Sequence, residues 1–81
     1  MIVVKQEIFL PKMGLTMTEG TIEKWLKKDG DTVKKGEGIL EVMTEKVSLT
    51  VEATESGIIH MFKDEGVTVP VGEVIGEIDM V

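Results

Sequence analysis

The chain has 81 residues, 42% hydrophobic and 30% charged, which suits one small domain with a thin core and leaves little material for a second. It contains no cysteine, which removes a disulfide framework, a thiolate metal site and a thiol nucleophile together. A formal charge of −6 opposes phosphate backbones, and the basic stripe and aromatic platform of nucleic-acid binders are both missing, so no nucleic-acid partner is expected.

The opening residues, MIVVKQEIFLPKMG, show no basic flank followed by a long apolar run, and no segment reaches membrane-spanning length; a soluble domain covering residues 1–81 is expected. PKMGLTMTEG is the longest candidate loop, and Met13, Leu15 and Met17 make it more apolar than a solvated loop requires, as if it capped one end of the core. In GTIEKWLKKDG, Trp25 is an expected core anchor. Lys27, Lys28, Lys34 and Lys35 form a small basic patch that reads as a solvated face. The GEG at Gly36 to Gly38 lacks the following helix of a phosphate loop and reads as turn chemistry. Beyond it Ile39 and Val42 stand three apart, a break in strand alternation that points to a bulge or two-sided burial. EVMTEKVSL then reverses direction on Glu45-Lys46 without glycine or asparagine. A type I turn tolerates that pair but matches strand twist less well than the primed turns, so turn geometry does not dictate the lysine. From Val47 to Ala53, Val47, Leu49, Val51 and Ala53 alternate with Ser48, Thr50, Glu52 and Thr54, the pattern of a half-buried strand.

An internal repeat organises these segments. GDTVKKGEGILEV from Gly30 and GVTVPVGEVIGEI from Gly66 align without gaps at an offset of 36, with Gly30/Gly66, Thr32/Thr68, Val33/Val69, Gly36/Gly72, Glu37/Glu73, Ile39/Ile75 and Glu41/Glu77 identical. Upstream, GIIHMFKDEG matches GTIEKWLKKDG if the first copy carries one inserted residue, which sets Phe62 opposite Trp25 as a second core anchor and His60 opposite Glu23. Short apolar segments punctuated by glycine indicate an all-β fold. Two such halves are each too small to bury a sheet face alone, so the expected architecture is a flattened barrel-sandwich of two roughly four-stranded antiparallel sheets with a pseudo-twofold axis. The offset carries Lys46 just past Val81, which places the lysine turn and the C-terminus at opposite ends of the domain.

GDTVKKGEGILEVMTEKV, followed by VEATESGII, resembles the lipoyl domains of 2-oxo acid dehydrogenase complexes, and LPKMGLTMTEGTIEKWLKKDGD is similar to the amino-terminal part of that domain in dihydrolipoyl acyltransferase subunits. The resemblance covers residues 7 to 79. It implies that Lys46 is amide-linked to lipoate at an exposed hairpin, with Thr44, Glu45 and Val47 of the turn and Met13 and Leu15 of a neighbouring loop as recognition residues. It also implies a non-catalytic carrier, since a lysine ammonium with an ordinary pKa of about 10.4 is a poor nucleophile at neutral pH and the cofactor supplies the chemistry. The implied partners are a thiamine-diphosphate-dependent 2-oxo acid decarboxylase, the acyltransferase catalytic core, dihydrolipoyl dehydrogenase and a lipoate ligase or lipoyl transferase. The implied location is the cytoplasm, or the mitochondrial matrix in a eukaryote, and the isolated domain is expected to be a monomer, excised from a longer subunit. Two departures stand out: Met43 where the family usually carries a carboxylate, and Glu45 in place of the commoner aspartate.

Two other readings remain open at this level. Biotin carriers share this type of fold, but their lysine is typically flanked by methionine on both sides, and here Glu45 and Val47 flank it. An unmodified interaction module is the other. Catalysis by the domain itself has no serine, histidine and carboxylate arrangement to support it, and His60 reads as structural or surface.

Overall fold

The computed structural model describes residues 4–12, 14 and 17–80. Every regular element among them is a strand: β1 (Val4–Phe9), β2 (Glu19–Trp25), β3 (Thr32–Val33), β4 (Gly38–Met43), β5 (Ser48–Glu52), β6 (Gly57–Met61), β7 (Thr68–Pro70) and β8 (Val74–Met80). They form two four-stranded antiparallel sheets, the first in the order β1-β8-β6-β3 and the second in the order β5-β4-β2-β7. Their inner faces supply the core, in which Ile22, Val33, Leu40, Val42, Ile59, Ile75 and Ile78 are fully buried. Neither sheet has enough apolar surface to persist alone; each is the other's cover.

The repeat is expressed as an exchange. β3 belongs to the first half of the sequence but pairs with β6 in the first sheet, and β7 of the second half pairs with β2 in the second sheet. The crossovers are tied reciprocally: the Gly30 N–H donates to Ile59 O at 2.7 Å, and the Gly66 N–H to Ile22 O at 2.7 Å. Both glycines have left-handed backbone angles, φ 90° and 85°, which a side chain would resist.

The broken alternation is a bulge in both copies. In β4, Gly38 pairs with Glu52 and Leu40 with Val51, which leaves Ile39 extra; in β8, Val74 pairs with Phe9 and Gly76 with Ile8, which leaves Ile75 extra. Each extra isoleucine turns into the core, at 1% and 0% exposure.

Three expectations need correction. The inserted residue of the first half is Glu23, skipped where Ile22 pairs with Val42 and Lys24 with Glu41, whereas β6 runs against β8 without a break. Trp25 is therefore equivalent to Met61, His60 to Lys24, and Phe62 to Leu26. Trp25 is buried at 8% and donates Nε1–H to Lys63 O at 2.9 Å; Phe62, expected in the core, is 52% exposed. The alternation of Val47 to Ala53 gives the right face but not its cover. Ala53 is buried at 3% and Val51 partly, while Leu49 and Val47 stand 44% and 46% exposed, because this edge strand runs on towards its turn beyond the opposing sheet.

β4 and β5 are joined by the Lys46 turn. Their equivalents, β8 and β1, bring Met80 opposite Val4, so these two strand ends stand at the place equivalent to that turn. β1 runs away from those ends, and the segment after it leads to the hairpin of the second sheet, as the repeat requires.

Candidate functional site

The turn between β4 and β5 is closed by a side chain. Thr44 N–H donates to Val47 O at 2.8 Å, and the Val47 and Lys46 N–H groups both donate to Thr44 Oγ1, at 3.2 and 3.3 Å. The hydroxyl takes the role a main-chain carbonyl has in an ordinary β-turn. No described residue other than glycine has a positive φ, so the turn reverses without the backbone conformation that would demand glycine or asparagine. Thr44, read from sequence as a recognition residue, is thus a structural clamp on the turn.

Glu45 and Lys46 are exposed at the tip. Among the described residues, the Lys46 ammonium has no carboxylate within ion-pair distance. An exposed amine rooted in a closed turn suits condensation with a carboxyl group: amide formation removes the charge and breaks no ion pair among the described residues.

Beside the tip lies an open cleft between the hairpin and the segment after β1. Gly14, Met17 and Thr18 face Met43, Thr44, Glu45, Lys46 and Val47 across it, with Gly20, Thr21 and Thr68 beneath. Gly20 allows this close approach, since a Cβ there would stand 2.9 Å from Met17 Cε and 3.2 Å from Leu10 Cδ2. The Thr21 and Thr68 hydroxyls meet at 2.8 Å across β2 and β7. Met43 and Val47, 37% and 46% exposed, give the tip an apolar collar.

Lys46, Glu45, Thr44 and Val47 therefore share one turn, as expected from the sequence. Met13 and Leu15 lie outside the described residues; Met17, from the same segment, packs against the core and lines the cleft. Thr21 and Thr68 carry no sequence signal for this place, because only the strand exchange brings β7 alongside β2. His60 stands apart from the site and bonds Asp79 Oδ2 through Nε2 at 2.9 Å. Among the described residues no group of three His, Asp or Glu side chains is placed to hold a metal ion.

The family model described as Biotin_lipoyl, biotin-requiring enzyme, matches residues 6–78. A solved structure, the lipoyl domain of the 2-oxoglutarate dehydrogenase complex from Azotobacter vinelandii, superposes with a TM-score of 0.74 at 37% identity, covering 89% of this chain and 92% of that one. The chain belongs to the biotin/lipoyl family, as a lipoyl domain. It is 48% identical over 73 residues to the dihydrolipoyllysine-residue succinyltransferase component of the 2-oxoglutarate dehydrogenase complex of Bacillus subtilis, covering 89% of this chain and 18% of that protein. The corresponding component from Rickettsia conorii is 51% identical over 74 residues, covering 90% of this chain and 19% of that protein. A mitochondrial acetyltransferase component of the pyruvate dehydrogenase complex of Arabidopsis thaliana is 47% identical over 72 residues, covering 86% and 13%. The lipoyl domain thus spans less than a fifth of these relatives. A domain of this kind is a carrier, non-catalytic by itself, and its family attaches a cofactor of the lipoate or biotin type covalently.

Proposed function

We propose that Lys46 is the attachment point, that the group attached is lipoate, and that the domain serves a 2-oxo acid dehydrogenase complex as its mobile acyl carrier. The observation that carries the reading is the exposed, unpaired Lys46 ammonium on a turn held by Thr44. Lipoate rather than biotin is favoured by Glu45 and Val47 on either side of the lysine and by the relatives, which are named for a dihydrolipoyllysine residue.

When attached, the dithiolane supplies a reducible disulfide that can take up an acyl group together with two electrons. The chain's own residues do the positioning. The paired strands fix the root of the arm, and the four methylenes of Lys46 give it reach. Two hydrogen bonds to Thr44 Oγ1 hold the turn so that each visiting active site meets the same root geometry. Glu41 and Glu45 leave acidic charge near the lysine, which steers basic entrances of partner enzymes and makes association slower at high salt.

The partners that fit are a thiamine-diphosphate-dependent decarboxylase that loads the arm, the acyltransferase core that unloads it, dihydrolipoyl dehydrogenase that reoxidises it, and a lipoate ligase or transferase that installs it. A domain tethered to such a core delivers its arm at high effective concentration. The cytoplasm, or the mitochondrial matrix in a eukaryote, is the compartment where these enzymes work. Intact mass after incubation with lipoate ligase, ATP and lipoate tests the attachment: a single lipoyl adduct is expected on the wild-type domain and none on Lys46→Arg, with an unchanged fold. An adduct on the arginine variant, or a biotinyl adduct alone, overturns it.

A further inference from the structure

Two of the three aromatic side chains, Phe9 and Phe62, stand in solvent at 46% and 52% exposure, while Trp25 alone lies in the core. A thin core that leaves both phenylalanines outside calls for a reason.

Both belong to the outer face of the first sheet. Phe9 pairs with Val74, and the Phe62 N–H donates to Ile75 O at 2.9 Å, so the rings flank β8 at one level, about 10 Å apart across two strand spacings. The fold does not require this apolar row. Its pseudo-equivalent on the second sheet is Glu52, Gly38 and Leu26: Gly38 pairs with Glu52, and the Leu26 N–H donates to Ile39 O at 2.8 Å. The same architecture is thus built with a carboxylate and a glycine at two of the three places.

The row is bordered by acid. Glu7 shares the outer face of β1 with Phe9. Glu77 and Asp79 follow on β8, where Lys5 reaches them at 3.4 and 3.9 Å and His60 Nε2 lies 2.9 Å from Asp79 Oδ2, so Glu7 and Glu77 are the carboxylates on which the border rests. We infer that this face, the Phe9–Val74–Phe62 row with its carboxylate border, docks a basic polypeptide segment that offers an apolar anchor between lysines or arginines. A second copy of the domain would set like charges against each other, so it is not the occupant. The face lies on the sheet that does not carry Lys46, so a partner held there leaves the lysine accessible, and the inference stands whether or not Lys46 is modified.

Titration of the ¹⁵N-labelled domain with a synthetic amphipathic Lys/Leu peptide tests it, with a Glu/Leu peptide as control. Saturable shifts confined to β1, β6 and β8 around the row are expected, weakened about tenfold by Phe9→Thr with Phe62→Thr. Glu7→Gln with Glu77→Gln, which leaves the apolar row intact, is expected to weaken binding and flatten its salt dependence. Shifts spread over all acidic residues including Glu45 and Glu52, an equal response to the acidic peptide, or concentration-dependent shifts of the row without peptide each overturn the inference.

Discussion

The hairpin end of the second sheet and the open end of the first are built from equivalent strand pairs, β4 with β5 and β8 with β1. At one the chain turns in four residues and raises Lys46 into solvent; at the other β8 ends and β1 begins, with Met80 opposite Val4. A single repeat unit has been used once with a closed, exposed turn and once without one, at opposite ends of the two sheets. The two halves also differ in how rigidly equivalent positions are held, and that difference can be measured.

The largest expected contrast is between Gly57 and Gly20, equivalent glycines at the starts of corresponding strand segments. A Cβ at Gly57 would collide with the Asp79 main chain, with its carbonyl carbon at 2.8 Å, and with Ile78 Cγ2 at 2.9 Å. Backbone in a paired strand cannot step aside, so Gly57→Ala is expected to cost about 3 kcal/mol. At Gly20 the nearest atom is the Met17 Cε methyl, the far end of a flexible side chain rather than backbone, and the lower chain entropy of alanine in the unfolded state offsets part of the strain. Gly20→Ala is expected to cost about 1 kcal/mol or less. Urea unfolding midpoints at constant slope separate the two; equal losses would show that the loop over Gly20 is as unyielding as a sheet.

A smaller effect is expected at the turn itself. Thr44→Val keeps shape but removes the acceptor for two N–H groups, which solvent can partly replace because the turn is exposed. A loss of about 1 kcal/mol in stability is expected, together with faster amide exchange at Lys46 and Val47 and slower lipoylation. Thr44→Ser, which keeps the hydroxyl, is expected to restore all three. If valine leaves exchange at these amides unchanged, the turn is held by its strands alone.

Much of this was legible in the sequence because the fold is written twice. The repeat gave two sheets from one pattern, and the same three-residue spacing at Ile39/Val42 and Ile75/Ile78 marked a bulge that both copies have. What was hidden depends on matters a linear pattern does not encode. One insertion in the first half can be placed at several positions; matching aromatic to aromatic paired Trp25 with Phe62, whereas the hydrogen bonds put the extra residue at Glu23. Alternation in Val47 to Ala53 named a face, but whether another sheet covers that face depends on where the opposing strands stop. That Lys46 stands exposed at a hairpin tip was legible through family resemblance. The clamp on its turn was not, because a threonine hydroxyl folding back on two amides leaves no periodic trace.

The smallest expected effect comes from a pair of glutamates at equivalent places in the two halves. Glu37 accepts from Lys27 Nζ, 2.6 Å from Oε2, and from the Lys34 N–H, 3.0 Å from Oε1, and these bonds hold its carboxyl below the ordinary carboxylate range, the lysine side chain contributing most. Glu73 has Lys63 at 3.7 Å from Oε2, but Pro70 stands where Lys34 does and has no N–H to offer. A carboxyl whose folded-state value is depressed contributes stability that is present above its unfolded-state value and is lost as pH falls through the folded-state value. Wild type is therefore expected to be slightly more stable than Glu37→Gln at neutral pH, and the difference is expected to close on acidification below the ordinary carboxylate range. Since the side chain is open to solvent, added salt should shrink the difference at neutral pH as well. Glu73→Gln, with only the longer lysine contact to lose, should cost less stability at neutral pH; a larger loss there than at Glu37 would mean that the proline turn, not the hydrogen-bonded one, is the more dependent on its charge.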